Sequence, residues 1–267
     1  MTGRSAVVTG GGRGIGRAIA LGLAEAGADL VLVARSRLEL EEVADGVRER
    51  GGTARVVTTD LADPDQLAAL AEQLRTAAVP VGVLINNAAV VSPLGATAGI
   101  DPLRWAAALA VNVTAPAALT IAVLPGMLTA RWGRIVNISS GIAAHPAGMI
   151  RANAYATTKA ALEAHTRNLA AEVADTGVTV NAYRPGGVDT AMQAWIRAQD
   201  REVIGAQLHG QFHRSHSDGT LLTADASARG LLTRLTGDAT GQIWDVADPV
   251  SYPDPAPAVS ATNRRSI

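Results

Sequence analysis

A tyrosine and a lysine that together could move a proton stand four residues apart, at Tyr155 and Lys159. On a helix this spacing puts the phenol and the ammonium group on one face. The stretch 154–174 is predicted to form that helix. Ser140 lies fifteen residues before Tyr155, just after an apolar run, 134–138, that predicts a strand. A hydroxyl, a phenol and a cation at these positions predict proton transfer to a substrate oxygen.

A glycine-rich segment near the start of the chain predicts a nucleotide site. Gly10, Gly14 and Gly16 follow a short apolar run, Ser5–Thr9, and open a predicted helix at 14–26. Glycine admits the positive φ of a tight turn and lets phosphate oxygens approach the backbone, while a helix start supplies free N–H groups. A purely structural turn is the alternative, but this turn opens the first of many strand–helix units. A nucleotide beside a proton-donating tyrosine favours hydride transfer.

The end of the second predicted strand, Asp29–Ala34, is followed by arginine and not by a carboxylate. A carboxylate there would bind a ribose 2′-hydroxyl and repel a 2′-phosphate, so Arg35, Arg37 and Arg13 favour NADP(H) over NAD(H). Alternatively, these arginines form an ordinary solvated surface. Asp60, after the third strand, is expected either near the adenine amino group or as the cap of the next helix.

Apolar strands alternate with helical segments along the chain. Strands are predicted at 5–9, 29–34, 53–59, 81–86, 134–138, 178–183 and 241–246, and helices at 14–26, 38–50, 64–77, 101–111, 115–131 and 154–174. The strands are near-continuous runs of Val, Ile and Leu, which is typical of a parallel sheet covered on both faces. We predict a single α/β domain of the Rossmann type, with a doubly wound seven-stranded parallel sheet, over residues 1–247. The proline-rich residues 248–267 are predicted to form a poorly ordered tail.

Composition excludes several classes of function. Among 267 residues, 48% are hydrophobic, and 23 Lys and Arg nearly balance 24 Asp and Glu, so no nucleic-acid or anionic-membrane partner is expected. The absence of cysteine excludes disulfides and thiolate metal sites. The first residues run directly into a strand, and no long apolar stretch free of charge is expected to span a membrane. The expected location is the cytoplasm.

Taken together, these features resemble the short-chain dehydrogenase/reductase family. The resemblance covers about two-thirds of the chain and rests on the glycine loop, the segment 86–89, Asn112, Ser140, Tyr155 with Lys159, and the Pro185-Gly186 turn, in the family's order. It implies an NADPH-dependent, ketoreductase-type oxidoreductase that interconverts a carbonyl and an alcohol on a small molecule. It also implies a homo-oligomer, a tetramer or a dimer, built from the helices at 115–131 and 155–174.

The resemblance implies a role for each catalytic residue. Tyr155 would act as the acid–base, and Ser140 would donate a hydrogen bond to the substrate oxygen, with Ser139 as the competing assignment. Two unit charges ~4 Å apart at an effective dielectric of ~20 interact by ~4 kcal/mol, so Lys159 and the nicotinamide charge are expected to lower the Tyr155 pKa by about two units or more. Lys159 would also bind the nicotinamide ribose. Asn112 would hold a proton-relaying water, or else be a buried amide that satisfies helix backbone.

The cofactor contacts are expected to come from the ends of several strands. The predicted set is Gly10, Arg13, Gly14, Ile15, Gly16, Arg35, Ser36, Asp60, Leu61, Asn87, Ala88, Tyr155, Lys159, Pro185, Gly186, Val188 and Thr190. For Asn86 and Asn87 a purely structural role is equally compatible with the sequence. Arg184 stands where a smaller residue is common in the family, and its expected contact is the substrate, a cofactor phosphate or solvent.

Two segments, 141–153 and 192–219, are expected to line the substrate pocket. Their candidate side chains are His145, Met149, Ile150, Met192, Trp195, Leu208, Phe212, His209, His213 and His216. Methionine and aromatic side chains favour an apolar or cyclic substrate, and a lid packed against the core is the alternative. The three histidines have helical spacing, but without a nearby acid we expect no metal, and their flanks are typical of a mobile loop.

Two other functions remain compatible with the sequence. One is a non-redox enzyme on the same scaffold, an isomerase, dehydratase or cyclase, which would form product without net NADPH consumption. The other is an NADP-binding regulatory protein, which would bind the cofactor without turnover.

Overall fold

Seven parallel strands form one sheet at the centre of the molecule, which a computed structural model describes over residues 1–249. The strands are β1 (Ser5–Thr9), β2 (Asp29–Ala34), β3 (Ala54–Thr58), β4 (Val81–Asn86), β5 (Gly133–Ile138), β6 (Val178–Arg184) and β7 (Ile243–Asp245). Their spatial order is β3-β2-β1-β4-β5-β6-β7. The order reverses between β1 and β4, which is where doubly wound sheets bind ligands. The predicted fold class is confirmed.

Helices cover both faces of the sheet. They are α1 (Gly14–Glu25), α2 (Arg37–Glu49), α3 (Pro64–Arg75), α4 (Pro102–Leu109), α5 (Ala115–Thr129), α6 (Asn153–Glu172), α7 (Ala191–Arg197), α8 (Arg201–Ile204), α9 (Ala206–Ser217) and α10 (Ala224–Leu235). One face packs on α1, α2 and α10 through residues such as Leu40 and Leu231. The other packs on α3, α5 and α6 through residues such as Leu119 and Leu169. Because both faces are covered, every residue of β4 and β5 is buried.

Asp63, and not Asp60, caps the helix after the third strand. The Asp63 carboxylate accepts hydrogen bonds from the backbone N–H groups of Asp65 at 3.0 Å and Gln66 at 3.1 Å. The Asp60 carboxylate instead accepts from the N–H of Ala62 at 3.0 Å, which tightens the turn that leaves β3. The capping role offered for Asp60 is therefore wrong.

The segment 102–129 is one almost continuous apolar helix. A π-helical turn over Ala110–Thr114 joins α4 to α5. By length and composition alone this helix could cross a membrane, because an 18-residue window within it has a mean hydropathy of 1.9, so the expectation that no such stretch exists is wrong. The apolar character has a structural explanation, because α5 packs against α3, β4 and β5 and supplies buried side chains to the core.

The segment after β6 is helical where a mobile loop was predicted. α7, α8 and α9 occupy most of 191–217, and the three histidines lie on α9. Leu208 and Phe212 on α9 are buried in a third apolar cluster, separate from the two sheet faces. Helix α10 was not predicted, and β7 is shorter than expected. Of the predicted tail, residues 250–267 lie outside the described part of the chain.

Candidate active site

One cleft of about 930 Å³ runs along the carboxyl ends of the strands and collects most of the predicted site residues. Its lining includes Gly10, Arg13, Gly14, Ile15, Gly16, Arg35, Ser36, Asp60, Leu61, Asn87, Ala88, Ser140, Tyr155, Lys159, Pro185, Gly186, Val188 and Thr190. Of the residues predicted to be catalytic, Asn112 alone lies behind the cleft wall and not on it. Glycine turn, hydroxyl, phenol and ammonium therefore share one groove.

The glycine turn at the start of α1 leaves room for a nucleotide backbone. Gly10 and Gly14 have φ values of 64° and 54°, which L-residues with a side chain rarely adopt. A Cβ at Gly16 would overlap the carbonyl oxygen of Gly10 and the amide of Asn87. Arg13, at the N-cap of α1, makes no side-chain cap. The first N–H groups of the helix therefore suit a phosphate, and the residues present fit a dinucleotide.

Arginine and glutamate share the part of the cleft beyond the second strand. Arg13 forms an ion pair with Glu39 at 3.3 Å, and both side chains are partly exposed. Glu39 also lines the cleft, and sequence reasoning missed it. Ser36 caps α2 by accepting from the Glu39 N–H at 3.3 Å. Arg37 pairs with Glu41 one turn along α2 and does not line the cleft.

The amides of Asn86 and Asn87, at the end of β4, both hold local structure, and that of Asn87 also borders the cleft. Asn87 Nδ2 donates to the carbonyl oxygen of Thr9 at 2.9 Å and to that of Gly10 at 3.2 Å. Asn86 Nδ2 donates to Asn137 Oδ1 at 2.8 Å, inside the sheet. Asn87 thus ties the end of β4 to the glycine turn, and its structural role coexists with a place on the cleft surface.

Adjacent serines at the end of β5 make different hydrogen bonds. Ser139 is buried and borders the cleft, but its hydroxyl is committed to Glu163 Oε1, to which it donates at 2.7 Å. Ser140 lines the cleft with Tyr155, accepts from the Ile142 N–H at 3.4 Å, and acts to lower the pKa of the Tyr155 phenol. Alternation along an extended chain explains the difference. The geometry thus favours Ser140 over Ser139 for contact with a substrate oxygen.

Tyr155 and Lys159 are both almost completely buried, at 8% and 2% exposure. Burial raises the pKa of Tyr155 to about 12, opposed by the Ser140 hydrogen bond. Burial lowers the pKa of Lys159 to about 8, opposed by Glu163. Lys159 Nζ donates to the carbonyl oxygen of Ile138 at 2.6 Å and lies 5.6 Å from the centre of the Tyr155 ring.

The expected lowering of the Tyr155 pKa depends on the nicotinamide charge as well as on Lys159 and stays a prediction; in the protein alone, burial raises that pKa. The loss of hydration on burial outweighs any attraction from an ammonium group held at that distance. A depressed Tyr155 pKa would therefore require a further positive charge in the cleft.

Asn112 fastens the loop after β4. Its side chain exchanges two hydrogen bonds of 2.8 Å with the backbone N–H and carbonyl of Val90. Its Nδ2 also donates to Thr158 Oγ1 at 3.1 Å, on the helix of Tyr155. The π-helical turn that carries Asn112 thus holds one wall of the cleft. The side chain satisfies loop backbone, not the helix backbone that was expected, and the water-holding role stays a prediction.

Arg184 does not line the cleft, and its side chain is largely buried against a carboxylate and does not face open solvent. Its guanidinium donates two hydrogen bonds of 2.8 Å to the buried carboxylate of Glu163. Sequence reasoning missed Glu163. The available signal was its position four residues after Lys159, the same spacing that joins Tyr155 to Lys159.

The far side of the cleft is apolar. Met149, Met192, Trp195 and Phe212 line it as predicted, and Val91, Ser92, Arg104, Ala107, Ala108, Val111, Gln193 and Ile196 were missed. His145, Ile150, Leu208 and the three histidines of α9 were predicted to line it and do not. His213 Nε2 lies 3.2 Å from the carbonyl oxygen of Arg197. Among residues 1–249, no cluster of three or more His, Asp or Glu side chains is arranged to hold a metal ion.

The family model for short chain dehydrogenases matches residues 4–201 of the chain. The chain belongs to the short-chain dehydrogenase/reductase family. A short chain dehydrogenase of Pseudocercospora fijiensis is 36% identical over 202 residues, which span 73% of this chain and 62% of that relative. The 3-oxoacyl-[acyl-carrier-protein] reductase of Pseudomonas aeruginosa is 34% identical over 208 residues, spanning 78% of this chain and 83% of the relative.

Solved structures of the family share the fold over nearly the whole chain. An actinorhodin polyketide ketoreductase variant with NADPH has a TM-score of 0.81 and 31% identity, covering 92% of this chain and 97% of its own. An NAD+-bound xylitol dehydrogenase has a TM-score of 0.80 and 27% identity, covering 91% and 97%. The protein is an oxidoreductase of this family, and a nicotinamide dinucleotide is its cofactor class.

Proposed function

We propose that this protein is an NADPH-dependent ketoreductase that interconverts a carbonyl and an alcohol on a small, apolar or cyclic substrate. The observation that carries the proposal is the meeting of Ser140, Tyr155 and Lys159 with the glycine turn in one cleft. Each of the three groups has its own chemical role in that groove: Ser140 is the hydrogen-bond donor, Tyr155 is the proton donor and Lys159 is the cation.

The roles follow from the chemistry of each side chain. A nicotinamide dinucleotide bound in the cleft supplies the hydride in the reductive direction. Ser140 donates a hydrogen bond to the substrate oxygen as negative charge develops there. Tyr155 donates its proton to that oxygen: burial keeps the phenol protonated near neutral pH, and the positive charges of Lys159 and the nicotinamide would lower its pKa so that it can act as an acid. Lys159 is the cation that compensates the phenolate left behind.

A preference for NADP(H) is supported by the charges beyond the second strand. Arg13 and Arg35 line the cleft there and offer guanidinium groups to a 2′-phosphate. The pairing of Arg13 with Glu39 weakens that attraction. We therefore propose a moderate preference for NADPH and some residual use of NADH.

The wall of the cleft opposite the nucleotide turn indicates the substrate class. This wall presents thioether and aromatic surface, which packs well against apolar and ring-shaped substrates. Its side chains include Met149, Met192, Trp195 and Phe212. Arg104 at the start of α4 is the cation among the described side chains lining that wall. A regulatory protein is a weaker alternative, because it does not require all three of the hydroxyl, the phenol and the ammonium. A non-redox enzyme would keep these groups, and it is distinguished by forming product without net NADPH consumption.

A homo-oligomer in the cytoplasm completes the proposal. Ile121 and Leu128 on α5 are 72% and 37% exposed, which leaves apolar surface on a helix that the family resemblance places at a subunit interface. Light scattering coupled to size exclusion tests the assembly. A single species at the monomer mass of 27.3 kDa would refute this part of the proposal.

Tyr155→Phe is the decisive variant for the reaction. With a panel of apolar ketones and NADPH, we expect it to bind cofactor with unchanged affinity and to lose more than about 99% of turnover, because the proton donor is gone. Tyr183→Phe is the matched control, since that phenol donates to the carbonyl oxygen of Ser227 at 2.8 Å in the core. The control is expected to lose stability and keep turnover. Full turnover in Tyr155→Phe would refute the mechanism.

A further inference from the structure

A buried carboxylate behind the cleft joins three segments that carry predicted site residues. Glu163 on α6 is 6% exposed. It accepts from Ser139 Oγ at 2.7 Å and from the Arg184 guanidinium twice at 2.8 Å. Ser139 immediately precedes Ser140, and Arg184 immediately precedes Pro185 of the turn after β6. The ends of β5 and β6 are therefore both fastened to the helix of Tyr155 and Lys159 through one side chain.

We propose that Glu163, paired with Arg184, is a positioning residue that sets the place of Ser140 and the charge around Lys159. The inference rests on the proposed function, since it assigns Glu163 a part in that reaction. Glu163 touches neither the cleft surface nor the reacting atoms, so it acts through Ser139, Arg184 and Lys159.

Stability alone does not account for charges at this place. Replacing a buried ion pair with apolar residues of similar volume often leaves a protein equally stable. What an apolar pair could not supply is a negative charge one helical turn from Lys159. Glu163 raises the pKa of Lys159 against the lowering caused by burial, and so keeps the ammonium protonated nearer to neutral pH. Arg184 limits that effect because it shares the same carboxylate.

The charges that act on this centre come from three elements. They are Tyr155, Lys159 and Glu163 on α6, Arg184 on β6, and Asp245 and Asp248 at β7, which act on Arg184. Loss of the Glu163 charge lowers the Lys159 pKa, and loss of the Arg184 charge raises it. The two substitutions therefore move the alkaline limb of the activity profile in opposite directions.

The test compares kcat between pH 6 and 10 for Glu163→Gln, Arg184→Gln and the control Glu172→Gln, an exposed carboxylate on the same helix. The charges of Glu163 and Lys159 lie one helical turn, about 6 Å, apart, and Arg184 partly compensates the carboxylate. We therefore expect the pKa of the alkaline limb to fall by about one pH unit in Glu163→Gln. Arg184→Gln is expected to raise it, and the control to leave it in place. In Glu163→Gln we also expect kcat to fall at least about tenfold at pH 7, with NADPH affinity unchanged.

A double variant separates positioning from folding. Glu163→Leu with Arg184→Met leaves no unpaired charge and is expected to melt within a few degrees of the wild type. If Glu163 positions the site, this variant still loses kcat at least about tenfold. A wild-type kcat in the double variant, or limbs that both move in one direction in the single variants, would overturn the proposal. Tyr155→Phe reports independently on the reaction itself.

Discussion

Glu39→Gln tests how the cleft chooses between NADPH and NADH. Glu39 pairs with Arg13 at 3.3 Å, and the two side chains are 35% and 64% exposed. Both residues line the cleft at the place where a 2′-phosphate is proposed to bind. The substitution keeps the size of the side chain, frees Arg13 for the phosphate and removes a negative charge.

The expected magnitude follows from these exposures. An exposed ion pair such as Arg13–Glu39 contributes roughly 0.2–1 kcal/mol. In Glu39→Gln the phosphate no longer competes with this pairing for Arg13. A unit charge ~6 Å from the phosphate in water repels one phosphate charge by about 0.7 kcal/mol, and dissolved salt screens the remainder. Together these effects favour the phosphorylated cofactor by about 1–1.5 kcal/mol, or about fivefold to tenfold.

The assay is the ratio of kcat/KM with NADPH to kcat/KM with NADH, measured on one ketone at constant ionic strength. Glu41→Gln is the matched control, because Glu41 lies on the same helix and pairs with Arg37 away from the cleft. We expect the ratio to rise about fivefold to tenfold in Glu39→Gln and to stay within about twofold in the control. An unchanged or lower ratio in Glu39→Gln would refute the account of cofactor choice.

Three further predictions concern the hydroxyls, the glycine turn and pH. Ser140→Ala is expected to lose about 100-fold or more in kcat and Ser139→Ala far less, in steady-state assays, and equal losses would contradict the assignment. Gly16→Ala is expected to abolish NADPH binding and lower Tm, because its Cβ overlaps backbone, and normal cofactor titration would disprove this. The Lys159 pKa is depressed to about 8, so chemical denaturation should show stability rising from about pH 8 towards pH 10.5. Lys159→Met should flatten that rise.

Much of the architecture follows from local pattern, which explains why it could be predicted. Continuous Val, Ile and Leu runs indicate strands buried on both faces, and each predicted strand lies in the sheet. The glycines at the start of α1 and the Tyr155–Lys159 pair depend on short-range spacing. Their placement in one cleft needs only the rule that parallel strands end at the same edge.

Features that depend on distant partners could not be predicted. The role of Arg184 is decided by Glu163, 21 residues earlier in the chain. The pKa of Tyr155 is set by burial, which has no signature in a Tyr-x-x-x-Lys motif. Asn112 binds Val90 through a contact made by tertiary packing. The helices at 191–217 carry too many polar residues for their apolar faces to stand out.

The third apolar cluster has a consequence for how this enzyme could acquire new substrates. Five of the twelve wall residues named above come from one contiguous segment, α7 to α9, which packs within that cluster and makes no part of the two sheet cores. Substitutions in the segment can therefore reshape the pocket while the nucleotide half keeps its stability. The same cluster contains Tyr155, which limits these substitutions. A residue that replaces Ile196 or Phe212 must still pack in the cluster that fixes the position of the phenol. Variation in the substrate wall and the geometry of the catalytic phenol therefore depend on the same cluster.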